Sequence, residues 1–380
     1  MPDYRQVRWL ALLLGVVGLC SGCQHLYSWG FNGSGELGDG TTVNRRSPTA
    51  AASSADWSSL AAGSGHTCGV QTDGTLWCWG RNFYGQLGDG TTTDRPVPTQ
   101  IGTATDWTTV AAGDNHTCGV REPGTLWCWG INSRGQLGDN TTVKRIVPKR
   151  VGAADDWTNI AGGNSHTCGV RSDGALWCWG SNFAGQLGIG STSERHTPVR
   201  VGTATDWRIV AAGTYHTCGL RTNGALWCWG NNSEGALGDG TTTNRPSPTK
   251  IGRAAWLTIA AGAFHTCGVQ ADPSAEGTLW CWGDNDYGEL GDATTTDRRV
   301  PTQAVSAARW ILLAAGFHHT CGVQNDGTLW CWGYNAYGQL GDGTSTERHV
   351  PRQIGTATDW SLITARFVHS AGTRGSAAPR

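Results

Sequence analysis

The chain has 380 residues, 28 Lys+Arg against 29 Asp+Glu, and only 15% charged residues. A charge so balanced and sparse excludes a polyanion binder working by bulk electrostatics, which needs a basic surplus. Glycine (57) and tryptophan (21) are in excess without a collagen-like period, and fourteen cysteines leave metal, redox or disulfide chemistry to be decided by spacing.

Residues 1–23 read as a secretory signal. Arg5 and Arg8 precede an apolar run from Trp9 to Leu19, shorter than the about 20 residues that span a bilayer. The run ends in Cys20-Ser21-Gly22-Cys23, which resembles a bacterial lipobox with Cys23 as the lipidated residue, although Cys20 stands where that motif usually has Leu. Export is expected, to a cell envelope or beyond. Only Gln24 and His25 separate Cys23 from the first strand, and so short a tether argues against lipidation. Any membrane contact is expected through that anchor alone.

From residue 24 one unit recurs. Trp-Gly appears at Trp29, Trp79, Trp129, Trp179, Trp229, Trp282 and Trp332, in steps of 50, 50, 50, 50, 53 and 50. A second series keeps the beat at Trp57, Trp107, Trp157, Trp207, Trp256, Trp310 and Trp360. A fixed period near 50 marks a repeat architecture in which each unit buries its apolar face against its neighbours. Within a unit the order is strand one (WTTVAAG), strand two (HTCGVR), strand three (TLWCWG) and strand four (IVPKRV). Short apolar runs bounded by Gly, Asn, Asp and Pro support strands throughout. Pro148 assigns strand four to a sheet edge, and pairs such as Asp73-Gly74 mark the turn between strands two and three. Four strands in seven units predict an all-β fold, a seven-bladed β-propeller over 24–373, with a disordered tail at 374–380.

The repeated AAGxxHTCGV, DGxLWCWGxN and GQLGDGT resemble the repeats of the regulator of chromosome condensation family across nearly the whole of 24–373. The double glycine of kelch repeats is absent, and the dipeptide is Asp-Trp rather than Trp-Asp. The resemblance implies a propeller closed by N- and C-terminal segments sharing one blade. It also implies loop faces presented to proteins, as in a nuclear exchange factor for a small GTPase, a plant photoreceptor and a secreted β-lactamase inhibitor. No residue-level match carries over the exchange site, and the position after AAG is never the photoreceptor's Trp.

Twelve cysteines form six pairs: Cys68 with Cys78, Cys118 with Cys128, Cys168 with Cys178, Cys218 with Cys228, Cys267 with Cys281, and Cys321 with Cys331. A three-residue turn with Gly74 in the left-handed position sets Cys68 opposite Cys78, within disulfide reach. The four-residue insertion before Cys281 preserves strand parity. Closing each loop stabilises its hairpin by roughly 2.5–3 kcal/mol in the chain-entropy model. The seventh unit lacks both partners, Ser28 and Ala371 standing in those slots, which a shared final blade explains. Zinc on His66-x-Cys68 with Cys78 lacks a fourth ligand in every unit, so disulfides are preferred and no metal is expected.

Positions identical in every unit serve folding. The histidine ring (His66, His116, His166, His216, His265, His319, His369) is read as satisfying backbone groups at the strand start, and the GDGTTT stretches as turns rather than calcium loops. No nucleophile motif, phosphate loop or nucleotide fingerprint is present, and no cofactor is expected. What varies is the one–two loop and the loop after Trp-Gly. Strand reversal puts both on one face, predicting a binding rim of Phe83, Tyr84, Asp114, Asn115, Arg134, Phe183, Tyr215, Phe264, Tyr287, Phe317, His318, Tyr337 and Phe367. Aromatics and Arg anchor interfaces. The expectation is a monomeric, exported, non-enzymatic propeller binding a protein or glycan, with no nucleic acid. The alternatives are an envelope enzyme on a propeller scaffold, an exchange-factor-like regulator by family analogy alone, or a purely architectural protein.

Overall fold

The computed structural model describes residues 24–53, 55–271, 277–306 and 308–375, and every regular element among them is a β-strand. The expected signal segment with Cys23 and the last five residues of the expected tail lie outside the described residues. Blade one is built from Trp57–Ala62, His66–Gln71, Leu76–Gly80 and Arg95–Gln100, paired antiparallel in chain order. Blades two to six repeat this order from Trp107, Trp157, Trp207, Trp256 and Trp310. The fourth strand of blade four runs without a break into the first strand of blade five, as Arg245–Ala261. The link there is one residue shorter than its counterparts.

Blade seven joins the two ends of the chain: Trp360–Arg366 and His369–Gly375 pair with Gln24–Gly30, and that with Arg45–Ala50. The empty cysteine slots face one another, Ser28 opposite Ala371. Pairing continues through His25–Arg374 to Gln24–Gly375, so the first two residues assigned to the tail belong to the sheet. First strands of neighbouring blades touch all round the circle and line the central channel.

Each strand-one tryptophan packs against the Trp-Gly tryptophan of its blade, edge-on in all but the tilted Trp256–Trp282 pair, with ring centroids 5.7 Å apart for Trp57–Trp79 and 5.8 Å for Trp360–Trp29. The pair is buried against the strand two–three hairpin of the preceding blade, as Trp107 and Trp129 are against Cys68, Cys78 and Val70, and Trp57 and Trp79 against Leu26 and Ala371. At about 25 cal/mol per Å², each tryptophan contributes on the order of 4–6 kcal/mol of transfer free energy.

All six expected cysteine pairs are disulfides, each joining strands two and three of one blade. Cys68 is bonded to Cys78 in blade one, Cys118 to Cys128 in blade two and Cys168 to Cys178 in blade three. Cys218 is bonded to Cys228 in blade four, Cys267 to Cys281 in blade five and Cys321 to Cys331 in blade six. In every pair the two residues stand directly opposite in the strand register, with Cα–Cα distances of 4.1 Å. Gly74, at φ +79°, closes the turn that sets this register in blade one.

The histidines bond elsewhere than expected. Each Nε2 meets a hydroxyl on strand two of the next blade: His66–Thr117 at 2.9 Å, His116–Thr167 at 2.9 Å, and so round to His319–Ser370 at 2.9 Å and His369–Thr67 at 3.0 Å. The hydroxyl itself donates to a backbone carbonyl, as Thr117 does to Gln86 at 2.8 Å, so Nε2 must be the donor, and burial keeps the imidazole neutral. The backbone is satisfied by the Thr and the blades are joined by the His, in a closed circuit of seven. A Cβ at Gly63 would lie 2.1 Å from Cε1 of His66, so the glycine of AAG clears room for the ring. The Asp of GDGTTT is equally occupied, Asp89 accepting from Asn82 at 3.0 Å, Thr91 at 2.7 Å and Arg95 at 2.8 Å.

Candidate functional site

The loops after strands one and three emerge on one face, as the bond from Arg81 N–H to the Gly65 carbonyl (2.7 Å) shows. On that face lies a continuous run of rings. Phe183 contacts Tyr215 (5.1 Å between centroids), Tyr215 contacts Phe264 (6.2 Å), Phe264 contacts Phe317 (5.8 Å) and Phe317 contacts Phe367 (5.2 Å). A branch continues from Phe317 to His318 (4.6 Å), Tyr287 (5.0 Å), Tyr334 (4.8 Å), Tyr337 (6.3 Å) and Phe31 (5.2 Å). This ten-ring crescent covers blades three to seven. Phe183 and Phe367 are 63% and 40% exposed, an arrangement that leaves apolar area for a partner to cover.

Eight of the residues named from the sequence lie in the crescent; Phe31 and Tyr334 complete it. Both occupy the position directly after Trp-Gly, which also varies from blade to blade (Arg81, Ile131, Ser181, Asn231, Asp284) and was not among the loop positions compared. Phe83 and Tyr84 pair with each other at 4.9 Å on blade one, apart from the run. Arg134 stands 3.6 Å from Glu194. Asn115 is half-buried.

Asp114 turns inward at the channel mouth. Its carboxylate accepts from Arg366 at 2.8 Å and from Asn164 at 2.6 Å. Arg366 stands where the other blades have the glycine of AAG, and it reaches across the axis to the carbonyls of Gly162 (3.0 Å) and Ala212 (3.2 Å). With side chains 11% and 14% exposed, this pair closes the channel mouth, leaving a cavity of about 10 Å³ beside Phe317. The next residue, Phe367, adopts φ +49°, a conformation that costs a bulky side chain about 1–3 kcal/mol. In return its carbonyl accepts from Phe317 N–H at 2.9 Å, fastening the crescent.

His318 is held by two carboxylates, Asp284 at 3.1 Å and Glu289 at 3.0 Å, both to Nδ1. Burial alone would lower the imidazole, but the carboxylates outweigh it and carry it up to about 9. Burial pushes Glu289 up to about 7; Asp284, also penalised by burial, is held below its ordinary value by His318. Glu36, at the corresponding position in blade seven, is raised by burial to about 7. The ring histidines are held at about 3 to about 4 by burial.

Residues 153–378 match the RCC1-like domain, and 24–70, 73–120 and 123–170 match the regulator of chromosome condensation (RCC1) repeat. No curated protein matches the chain by sequence. Among solved structures, human WBSCR16 superposes with a TM-score of 0.84 at 21% identity, over 93% of this chain and 100% of that one. Yeast RCC1 (Prp20) bound to Kap60 gives 0.82 at 20%, covering 94% and 90%. Prp20p from Saccharomyces cerevisiae gives 0.81 at 21%, covering 95% and 93%. At these identities the likeness is one of fold.

Proposed function

Because the chain belongs to the regulator of chromosome condensation repeat family, we propose that it is an exported, non-enzymatic propeller that binds a protein through the aromatic crescent. The observation that carries this reading is the unbroken contact of ten rings on a face where the repeats otherwise diverge. Aromatic anchors on a rigid scaffold bring large contact area with few rotamers to freeze. The disulfides favour an oxidising compartment. The yeast relative was solved with Kap60 and is described by its binding to Gsp1p and histones, which favours a protein over a glycan here. An exchange-factor role rests on family analogy alone, and export would part the chain from a cytosolic GTPase.

The test is capture from an envelope extract with the oxidised protein and with the Phe264→Ala, Phe317→Ala, Tyr287→Ala triple variant. A partner retained by the first and lost by the second is expected. Equal capture by both would remove the crescent from the function. Turnover of a glycan or peptide library without a stable partner would favour the scaffold-enzyme alternative.

A further inference from the structure

Three departures from the repeat meet at one point between blades five and six. Asp284 follows Trp-Gly, where other blades carry Phe31, Arg81, Ile131, Ser181, Asn231 and Tyr334. Glu289 takes a position that is Gln in blades one, two, three and six. His318 takes one held elsewhere by Gly65, Asn115, Ser165, Tyr215, Phe264 and Val368. The three come from two loops of neighbouring blades, His318 lying 29 residues beyond Glu289, so no spacing motif announces them.

Their free atoms converge. Glu289 spends Oε2 on Tyr287 N–H at 2.9 Å, and Asp284 spends Oδ1 on Asp286 N–H at 3.3 Å. The remaining oxygens, Oε1 and Oδ2, both point at Nδ1 of His318, 3.0 and 3.1 Å away. Nδ1 has one proton at most, so two carboxylates share a single donor. Glu289 is fully enclosed, Asp284 is 9% exposed and His318 is 21% exposed. With both carboxylates ionised the cluster is one negative charge in excess even when the imidazole is protonated, and Asp286 and Asp297 add two more carboxylates beside Asp284. Ligand atoms on one metal at about 2.0–2.2 Å stand about 3.0 Å apart in octahedral and about 3.4 Å apart in tetrahedral geometry. The two nitrogen–oxygen separations fall in this range.

We propose that Asp284 Oδ2, Glu289 Oε1 and His318 Nδ1 form a three-ligand site for a divalent transition-metal ion, Zn²⁺ by donor set, with its remaining coordination open toward the crescent. One imidazole with two carboxylates suits zinc or manganese, whereas calcium takes six to eight oxygens. Tyr287, in ring contact with His318, and Phe317 on its other side wall the site. Binding displaces the imidazole proton and gives each buried carboxylate oxygen its own positive partner. The site stands whether or not the crescent binds a protein.

The test is calorimetric titration of ZnCl₂ into the untagged, oxidised, chelator-treated full chain, with Ca²⁺ as the control ion. The variants are Glu289→Gln, Asp284→Asn and His318→Phe, each the residue that another blade carries at that place, and Glu194→Gln, beside Arg134, as a control away from the cluster. One saturable equivalent of Zn²⁺ is expected, accompanied by a rise in melting temperature. Each ligand variant should weaken binding by at least about tenfold, while binding by Glu194→Gln and the near-UV circular dichroism of all variants stay unchanged. No stoichiometric binding, or binding undiminished in both Glu289→Gln and His318→Phe, overturns the site.

Discussion

Acid should loosen the ring of blades through its histidines. Five of them (His66, His116, His166, His216 and His369) stand clear of the acidic cluster, at most 1% exposed, with folded-state values of about 3 to about 4. In the unfolded chain each titrates near 6.5. Because the folded value is depressed, the unfolded state binds the proton first. Stability is therefore complete above about pH 6.5 and is lost as pH falls toward the folded values. Between pH 7 and 5.5 each histidine withdraws about 1.2 kcal/mol, or about 6 kcal/mol for the five. Glu36, raised to about 7, takes up its proton in the folded state and offsets about 1.5 kcal/mol, leaving a net loss of about 4–5 kcal/mol. The assay is guanidinium unfolding followed by tryptophan fluorescence at several pH values, disulfides intact. A Glu289→Gln, His318→Phe background keeps that cluster from titrating. Stability that is flat, or that rises on acidification, would refute the neutral-imidazole circuit.

Two further outcomes follow from the described contacts. Arg366→Ala strands the Asp114 carboxylate at the channel mouth and should cost about 2–4 kcal/mol, while adding Asp114→Ala should cost little more; full additivity in denaturation would show that the two do not act as a pair. Thiol titration of the unfolded, unreduced protein should find none of the twelve paired cysteines reactive, and reduction should lower the melting temperature markedly, at roughly 2.5–3 kcal/mol per bridge. Recovery of twelve free thiols, or a melt indifferent to reductant, would contradict the hairpin pairing.

The propeller was legible in the sequence because its information is periodic and local. The three-residue turn closed by Gly74 places Cys68 opposite Cys78, and two vacant slots, Ser28 and Ala371, identify the shared blade. Contacts between units were harder to see. His66 meets Thr117, 51 residues on, and a reading confined to one unit assigns the imidazole to the nearest backbone. Arg366 escaped notice because it replaces a glycine whose sameness elsewhere marks it as structural. Asp284, Glu289 and His318 hold three different repeat positions on two blades, and only the curvature of the ring brings them together.

The shared blade also bears on how the molecule is made. Gln24–Gly30 is synthesised well ahead of one of its two neighbours, His369–Gly375. A chain delivered amino end first must therefore carry an unzipped hairpin edge until some 340 residues have followed it. Cysteine pairing is confined to single hairpins and can proceed unit by unit meanwhile. The final clasp, free of disulfides among the described residues, is left to be made by hydrogen bonds and side-chain packing.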